Sequence, residues 1–541
     1  MQMTRVLSLL TLLPLATATL TAQHPGGTVV YASGQEPTLP LPVIGQGQGN
    51  ADVADQLFLR LAVLTPPYRT AGDNALKPML ASAWHRVDAR TIDFTIDPRA
   101  RWQDGVPVTA HDVVFTWSLE TNPAVNSDQA TLEPIASVAE TGPRTVRVTF
   151  KRPFSEQLYL FAFGMQPLPA HLLERVRPDS IATSAFAQHP VGDGPFRFER
   201  RVPGQLVELR ADSTFFLGKP AIGRVLFTYI ADATARLNQL LTGQTDVMDN
   251  VAPTMADQIQ AHADLRFVTA PSSTLIYALF NTRSSTDTAA PNPRLADPRV
   301  REALLLALDR DALARSAFGQ AARVPEAAQS QLWGWITTGT TVGVKQDVAR
   351  ARALLAAAGW RAGADGTLAR NGVPLALTLI YPSTSGARHT IAVAAQQMWQ
   401  AVGVHVELEP AAFDAYQARR HSGQWDIDLA AVMQDASPAT LVESWSCAAA
   451  HQAASSNVAR WCDPEFDRLL HAATTAPDPV PAWRAVLARM TSQHPAIFLA
   501  APVNLVAVNT RYDNVAVLPV RQWLALWQWR VRPGAELARD R

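Results

Sequence analysis

The stretch Leu80–Trp117 constrains the fold more than any other part of the chain, because it encodes a strand, a turn and a helix in succession. Apolar and polar residues alternate over residues 92–96, which is the period of a half-buried strand. Asp104-Gly105 then predicts a turn. Thr109 and Asp112 stand in the Thr-x-x-Asp order of a capping box, so we expect a helix to begin there.

Length and charge limit the classes of protein that this chain can belong to. It has 541 residues, which is more than one ordinary hydrophobic core contains, so we expect at least two domains. Its 47 Lys and Arg residues balance its 47 Asp and Glu residues, and the formal net charge is zero. This balance argues against a surface built to bind nucleic acid or an anionic membrane.

Residues 1–22 have the composition of a secretory signal peptide. A single Arg5 precedes the apolar run Val6–Leu20, and Leu-Thr-Ala follows it before Gln23. The alternative, an N-terminal membrane helix, needs a longer apolar run. No cysteine follows the run, so a bacterial lipid anchor is not expected, and no other segment is long and apolar enough to span a bilayer. We therefore expect an exported, periplasmic chain.

The chain has two cysteines, Cys447 and Cys462. In an exported protein an even pair so close in sequence predicts a disulfide, and closing this loop stabilises the fold by about 3 kcal/mol. Two free core thiols are the alternative. A metal site would need more ligands than two isolated sulfurs.

Elements further along the chain have similar local signals. Asp297 ahead of Pro298 predicts the start of one helix, and Asp347 predicts the start of another. The stretch Leu375–Leu408 has the pattern of a strand, a helix and a second strand, and a crossover of this length joins parallel strands. Helices on a mixed sheet would make this region α/β. The alternation of Trp and Leu within Trp523–Trp529 predicts a buried strand.

The strand-turn-helix stretch also resembles the signature of the family 5 extracellular solute-binding proteins, the peptide- and nickel-binding receptors of ABC importers. That signature is a W-x-x-x-D-x-x-T strand, an aromatic-x-D-G-x-P-x-T-A-x-D-V turn and a helix. The matching positions are Trp84, Asp88, Thr91, Trp102, Asp104, Gly105, Pro107, Thr109, Ala110, Asp112 and Val113. Residues 297–313, 351–360 and 446–470 resemble further family segments, the last of them closest to the dipeptide-binding members.

The resemblance implies an α/β fold: a two-lobe periplasmic binding protein of type II, in the large peptide-binding class, with mixed sheets and an extra subdomain in lobe I. The family layout has the chain cross between the lobes twice. The expected divisions are a signal peptide at 1–22, lobe I at 23–270 with the extra subdomain at about 55–185, lobe II at 271–502, and a return to lobe I at 503–541. We expect the crossings near Thr269–Ser273 and Ala500–Asn504.

The sequence has no recognisable catalytic motif. It contains no Gly-x-Ser-x-Gly elbow, no His-Glu-x-x-His, no P-loop and no dinucleotide fingerprint. The 12 histidines are scattered without an i,i+4 pair, so neither a metal site nor a cofactor is predicted. We expect a binding protein rather than an enzyme, and a secreted hydrolase is the alternative from another class.

By resemblance, the protein is a monomeric periplasmic receptor that captures a peptide or similar polar solute between its lobes and delivers it to the permease subunits of an ABC importer. The alternatives within the same class are receptors for a metal chelate, haem or a sugar. A bound peptide would need a carboxylate for its ammonium group and an arginine for its carboxylate.

The candidate for the ammonium group is Asp435, in the loop MQDASP with its neighbour Gln434. In the dipeptide-binding relatives, the aspartate of this loop takes the peptide ammonium; the alternative is that Asp435 caps a helix at Pro438. For the ligand carboxylate the relatives place an arginine where this chain has Pro382-Ser383-Thr384. Arg388 could replace it, or it could be a solvated surface residue.

The other candidates are aromatic or lie on loops. Trp333 and Trp335 fall in an irregular segment where the family places cleft residues, and they could stack on a ligand or fill the interior of a lobe. Tyr277 and Asn281 close a strand just after the first crossing, so one face of that strand is expected to meet the cleft. Glu36 lies in a loop that reaches the lobe interface in relatives.

Overall fold

The computed structural model describes residues 26–540, apart from residues 46, 126, 128, 285–289, 326–329, 338–342, 365 and 453–454. The predicted signal peptide lies outside the described residues. The strands are β1 (Thr28–Ser33), β2 (Ala62–Leu64), β3 (Leu76–Pro78), β4 (Ala81–Asp88), β5 (Thr91–Ile96), β6 (Ile135–Gly142), β7 (Thr145–Phe150), β8 (Phe196–Val202), β9 (Leu206–Ala211), β10 (Arg224–Tyr229), β11 (Val247–Met248), β12 (Leu265–Ala270), β13 (Thr274–Phe280), β14 (Ala322–Arg323), β15 (Arg361–Ala362), β16 (Leu368–Arg370), β17 (Val373–Pro374), β18 (Ala376–Pro382), β19 (His405–Ala411), β20 (Ile427–Met433), β21 (Ala496–Pro502), β22 (Asn504–Asn509), β23 (Tyr512–Asp513) and β24 (Arg530–Val531).

The helices are α1 (Gln48–Leu57), α2 (Ala110–Glu120), α3 (Gln129–Leu132), α4 (Leu160–Phe163), α5 (Ala170–Leu173), α6 (Ala185–Gln188), α7 (Ala233–Leu241), α8 (Ala256–Gln260), α9 (Pro298–Leu306), α10 (Arg310–Phe318), α11 (Gly334–Thr337), α12 (Val348–Ala357), α13 (Gly386–Gln400), α14 (Phe413–Ser422), α15 (Thr440–Trp445), α16 (Cys447–Ala450), α17 (Pro464–Thr475) and α18 (Pro479–Gln493). Short 3₁₀ turns occur at Pro178–Thr183, Pro253–Met255, Gln331–Trp333, Leu526–Gln528 and Ala538–Asp540.

Three sheets organise the molecule. A seven-stranded sheet has the order β12-β22-β11-β1-β10-β9-β8, and a six-stranded sheet has the order β14-β21-β13-β20-β18-β19. Both are mixed, since each combines parallel and antiparallel pairs. A four-stranded antiparallel sheet, β4-β5-β7-β6, is inserted between strands of the first. Helices pack on these sheets, which makes the molecule α/β.

The inserted sheet contains the strand, turn and helix predicted from Leu80–Trp117. Ile92, Phe94 and Ile96 of β5 are all fully buried. The backbone N–H of Thr109 donates to Asp112 Oδ2 at 2.8 Å, so the predicted capping box begins α2.

Three other local predictions are confirmed. Asp297 and Asp347 cap α9 and α12 by accepting bonds from backbone N–H groups two and three residues later. Strands β18 and β19 are parallel neighbours joined by α13, which is the predicted crossover. Cys447 and Cys462 form the predicted disulfide.

The chain passes between the two large sheets at two adjacent points. It leaves the seven-stranded sheet at Ala270 and enters the six-stranded sheet at Thr274. It returns between Pro502 and Asn504. Because Ala270 pairs with Asn504, the two passages run antiparallel, side by side.

Trp523–Trp529 is not a strand, and this prediction was wrong. The segment consists of turns and the 3₁₀ turn Leu526–Gln528. Trp523 and Trp529 are nonetheless fully buried, with ring centroids 6.0 Å apart. Their spacing reflects burial of large rings under the seven-stranded sheet rather than the two-residue period of a strand.

The two ends of the described chain are joined by a largely buried cluster of ion pairs, which we call the terminal ion cluster: Asp246, Arg511, Arg539 and Asp540. Arg511 lies 3.0 Å from Asp246 and 2.6 Å from Asp540, and Arg539 lies 2.5 Å from Asp246. Asp540 also accepts from the backbone N–H of Thr28 at 2.7 Å, which fixes the chain's last turn to its first strand.

Among the described residues, no helix has both the length and the apolar character needed to cross a membrane.

Candidate functional site

Four side chains meet where the inserted region touches the six-stranded sheet, and we call this group the acid contact: Glu156, Tyr159, Asp435 and Ser437. The Tyr159 hydroxyl donates to Asp435 Oδ1. The Ser437 hydroxyl donates to Glu156 Oε2 at 2.6 Å, and Thr70 donates to the other Glu156 oxygen. The acid contact therefore holds together two parts of the chain that are far apart in sequence.

The loop that carries Asp435 is fixed at several points. The Gln434 N–H donates to the Ser273 carbonyl at 2.9 Å, just at the first passage between the sheets. The Trp333 indole N–H donates to the Asp435 carbonyl at 3.0 Å. Asp435 Oδ1 accepts from the Ser437 N–H at 3.1 Å. The following helix α15 begins only at Thr440, so Asp435 does not cap it.

Burial raises the pKa of both carboxyl groups of the acid contact. The pKa of Glu156 rises to about 7, because the group is removed from water and its hydroxyl partners offset this only partly. Burial also raises the pKa of Asp435 above its ordinary value, against the bonds from Tyr159 and Ser437. The pKa of Tyr159 is raised by burial and by the charge of Asp435. No cation lies within ion-pairing distance of either carboxyl group among the described residues.

A cavity of about 560 Å³, the arginine cavity, lies on one side of the acid contact. Arg60 and Arg521 line it, and both donate to the Phe163 carbonyl at 3.0 Å. The Arg521 guanidinium also stacks on the Phe163 ring, 4.7 Å from its centroid. Arg60 forms an ion pair with Asp55, with 2.7 Å between Arg60 Nη1 and Asp55 Oδ1.

A second cavity of about 350 Å³, the amide cavity, opens beside β13 and β20. Its polar lining comprises Tyr277, Arg420, His421, Gln434, Thr440, Glu443, Ser444, Ser455, Ser456 and Asn457. The rim reaches solvent at Met433, whose side chain is 71% exposed. Alternation along β13 explains the placement of Tyr277, because odd-numbered residues of this strand face the cavity and even-numbered ones face the core on the other side.

A chain of contacts connects the two cavities. Phe163 of the arginine cavity stacks on Tyr159, with centroids 5.6 Å apart and ring planes 17° from parallel. Tyr159 bonds Asp435, and Asp435 follows Gln434 of the amide cavity. The acid contact therefore separates two recesses, one on each side of the junction.

The remaining predicted residues have structural partners. Trp333 is fully buried beneath the loop, and Trp335 is half-buried with the Arg69 guanidinium 5.6 Å from its ring centroid. Glu36 pairs with Arg201 at 2.7 Å.

Arg388 and Asn281 lie elsewhere on the six-stranded sheet. Arg388 is half-buried rather than solvated, and burial lowers its pKa, although Tyr416 and Asp428 lie close enough to oppose the shift. Asn281 follows the end of β13 remote from Gln434 and donates to the carbonyls of Gly423 and Trp425. The structure therefore does not bring Asn281 to either cavity.

Among the residues that the structure describes, no group of three or more His, Cys, Asp and Glu side chains is arranged to hold a metal ion.

The sequence matches the family described as "Bacterial extracellular solute-binding proteins, family 5 Middle" over residues 75–451. The chain belongs to this family. It is 25% identical to the oligopeptide-binding protein AppA of Bacillus subtilis (strain 168), over 93% of this chain and 91% of AppA. It is 30% identical to a putative ABC transporter peptide-binding protein of Brucella ovis, over half of each chain.

Solved structures of family 5 proteins share the fold. The crystal structure of the ABC transporter substrate-binding protein CtaP from Listeria monocytogenes superposes with a TM-score of 0.80, at 20% identity, over 94% of this chain and 99% of that one. The α/β two-lobe fold expected from the resemblance is therefore confirmed.

Sequence reasoning missed several residues of this candidate site, among them Tyr159, Glu156, Arg521 and Asn457. Tyr159 and Glu156 gave no signal, because each lies in a short turn and acquires its role from partners 276 and 281 residues away. Arg521 lies two residues before Trp523–Trp529, the segment wrongly predicted to be a strand. Asn457 stands in the Asn-x-x-x-Trp-Cys sequence that carried the resemblance, but nothing local shows that it lines a cavity.

Proposed function

We propose that this protein captures a peptide between its two lobes and delivers it to the membrane permease of an ABC importer. The observation that carries the proposal is the acid contact: a buried carboxyl group (Glu156) and a half-buried one (Asp435) lie where the inserted region touches the six-stranded sheet, flanked by cavities of about 560 and 350 Å³. The peptide-binding names of the relatives AppA and the Brucella ovis protein support the same ligand class.

Lobe I comprises residues 23–270 and 503–541 in this proposal, and lobe II comprises 271–502. The passages between the large sheets at Ala270–Thr274 and Pro502–Asn504 support these divisions. The inserted sheet and α4 support an extra subdomain in lobe I near residues 55–185, which would supply the lobe I half of the acid contact.

Asp435 receives the peptide ammonium in this proposal. Its carboxyl group lies at the lobe boundary, is partly buried and has hydroxyl and N–H partners but no ion-pair partner among the described residues. A ligand ammonium would supply the missing positive charge. Gln434 and Tyr277 would contact the ligand from the amide cavity, while Trp333 holds the loop in place. Trp335, Arg388 and Glu36 would shape the surroundings, and Asn281 would only support the strand.

Binding of this kind requires no covalent step. A ligand that contacts both lobes favours the closed state over the open one, and closure presents a continuous two-lobe surface to the permease. We further propose that the chain is exported by its N-terminal segment without a lipid anchor and acts in the periplasm as a monomer and not as an enzyme. Membership of an extracellular solute-binding family supports this assignment.

Thermal unfolding of the mature protein with added solutes tests the proposal. Di-, tri- and longer peptides should raise the melting temperature through mass action, whereas nickel chelates and sugars should not. Asp435→Ala should abolish the shift with peptides. The matched control is Asp257→Ala, which removes an exposed aspartate in the first turn of α8 and should keep the shift.

If no peptide raises the melting temperature but a chelate or a sugar does, that solute and not a peptide is the ligand. Hydrolysis of the peptides during incubation would instead favour the hydrolase alternative.

A further inference from the structure

The arginine cavity holds two guanidinium groups that share one acceptor. Arg60 Nε and Arg521 Nη2 both donate to the Phe163 carbonyl at 3.0 Å. The carboxyl group of Asp55 lies 2.7 Å from Arg60 Nη1 but 4.0 Å from Arg521 Nε. Gln166 also donates to Asp55, at 3.3 Å. Asp55 is therefore engaged with Arg60, and Arg521 has only a distant share of its charge.

Each of the two guanidinium groups keeps one nitrogen available. Arg60 Nη2 and Arg521 Nη1 donate to no group among the residues that the structure describes, and neither is one of the enclosed polar atoms that water cannot reach. Arg521 Nε, in contrast, is enclosed. The Arg521 side chain is 21% exposed, and both arginines line the cavity. The cavity thus offers two charged donors to a group that enters it.

The proximity of the two guanidinium groups is electrostatically unfavourable. Burial, with the charge of Arg521 as a second cause, lowers the pKa of Arg60 to about 10. Both groups are still protonated at neutral pH, so they repel each other. A carboxylate in contact with both would offset this repulsion, and its two oxygens match the planar fork of a guanidinium.

The rest of the lining is mixed. Leu41, Val43 and Leu132 supply apolar wall, and the other polar residues are Glu120, Ser127, Thr131 and Gln166. Glu120 would attract a cation instead of an anion. Its residue is only 6% exposed and one of its carboxylate oxygens is enclosed. Because Asp55 balances the charge of Arg60, the more accessible Arg521 decides the sign of the charge that a ligand meets.

The arginine cavity lies close to the loop of Asp435. The Arg521 guanidinium is 4.7 Å from the centroid of Phe163, Phe163 stacks on Tyr159 at 5.6 Å, and the Tyr159 hydroxyl donates to Asp435. The charge of Arg521 is near enough to oppose the burial that raises the pKa of Asp435. An extended chain of three or four residues spans about 10–14 Å, which is enough to connect Asp435 with Arg521.

We infer that the arginine cavity is a subsite for a carboxylate group of the ligand, with Arg521 as its main contact and Arg60 as its second. This inference rests on the proposed peptide-binding function. A peptide of three or four residues whose ammonium group binds Asp435 would place its terminal carboxylate in the cavity. A longer peptide would place an acidic side chain there.

Isothermal titration calorimetry with two series of peptides tests the inference and separates these two sources of the carboxylate. The first series consists of alanine peptides of two to six residues, each as the free acid and as the C-terminal amide. Amidation should weaken binding by about tenfold at three or four residues, because it removes the charge that Arg521 contacts, and by less at other lengths. The second series consists of amidated alanine hexapeptides with Glu, Gln or Lys at one of positions 2–5. At one of these positions Glu should bind about tenfold more tightly than Gln, and Lys should bind no better than Gln.

Arg521→Met should remove most of the preference for the free acid over the amide and for Glu over Gln. It should bind the amidated alanine peptides as the parent protein does, which shows that the variant is folded. Arg175→Met changes an exposed arginine outside the cavity lining and should leave both preferences intact. Arg388→Met tests the rival arginine on the six-stranded sheet and should also leave them intact.

The outcomes separate the inference from the proposed function. If no peptide of either series binds, the proposed function fails. If peptides bind but amidation has no effect at any length and Glu equals Gln at every position, the carboxylate subsite is wrong and peptide capture stands. A preference for Lys would assign the cavity to Glu120 and overturn the inference. So would a carboxylate preference that survives Arg521→Met or is lost in Arg388→Met.

Discussion

Buried carboxyl groups occur in two contrasting settings in this protein, the terminal ion cluster and the acid contact. In the first, Asp246 and Asp540 are paired with Arg511 and Arg539 at 2.5–3.0 Å. In the second, the carboxyl groups have hydroxyl and N–H partners only. Burial accordingly raises the pKa of Glu156 and Asp435.

The contrast follows from what each setting has to do. The terminal ion cluster fixes the last turn of the chain to β1 and has no reason to open, so complete charge pairing is an advantage. In the proposed binding cycle, the acid contact has to separate and to accept a ligand. Carboxyl groups without a cation of their own would then leave a place for the charge of a ligand.

The largest expected effect comes from breaking the terminal ion cluster. Arg511→Met should lower the free energy of unfolding by about 3–5 kcal/mol, because it leaves Asp246 and Asp540 buried with less compensation. Tyr159→Phe removes one hydroxyl from the acid contact and should cost about 1 kcal/mol. Urea denaturation of both variants compares the settings directly. Equal decreases in the free energy of unfolding would show that the terminal ion cluster and the acid contact do not differ in strength.

The next effect is the pH dependence that Glu156 contributes. Its pKa is about 7 in the folded protein and near 4.5 when unfolded, so the folded state binds the proton more tightly. This contribution is fully present below about pH 4.5 and is lost as the pH rises through 7, a change of about 3 kcal/mol.

Glu156→Gln isolates that contribution. The difference in melting temperature between the variant and the parent protein should grow from pH 5 to pH 8 in favour of the variant. A difference that stays constant over this range would mean that Glu156 has an ordinary pKa.

The last expected effect concerns the peptide affinity that we attribute to Asp435. A ligand ammonium favours the ionised carboxylate, so the affinity should fall by up to about tenfold per pH unit once the pH is below the raised pKa of Asp435. Calorimetry between pH 4 and pH 8 measures this slope. Asp435→Asn should bind more weakly and without the slope; an unchanged slope in Asp435→Asn would assign the pH dependence to another group.

The distance along the chain between interacting residues explains how much the sequence could predict. The helix starts at Asp297 and Asp347, the capping box of α2 and the β18–α13–β19 crossover are encoded within a few residues of each other, and all were predicted. The family resemblance supplied the two-lobe fold. The strand predicted over Trp523–Trp529 is absent, because the large rings are buried by tertiary packing and their spacing happens to match the two-residue period of a strand.

The site was predicted less completely than the fold. The loop MQDASP pointed to Asp435 and Gln434, but Glu156 and Tyr159 became visible only when the chain folded and brought them to that loop. Asn281 was expected near the cleft because it closes β13, yet it lies at the wrong end of the strand. Sequence period can assign a face of a strand, but not which end of it meets the other lobe.

The paired passages between the lobes have a mechanical consequence. Two antiparallel segments lying side by side form a double-stranded hinge. Such a hinge bends easily about the line that crosses both segments, but it resists twisting and sliding, because those motions would stretch one segment relative to the other. Under the proposed division into lobes, this geometry would confine opening to a rotation about one axis. Because the Gln434 N–H is bonded to the Ser273 carbonyl beside the first passage, the loop proposed to bind the ligand would lie next to that axis and move little, and the largest displacement would fall at the parts of the cleft farthest from the passages.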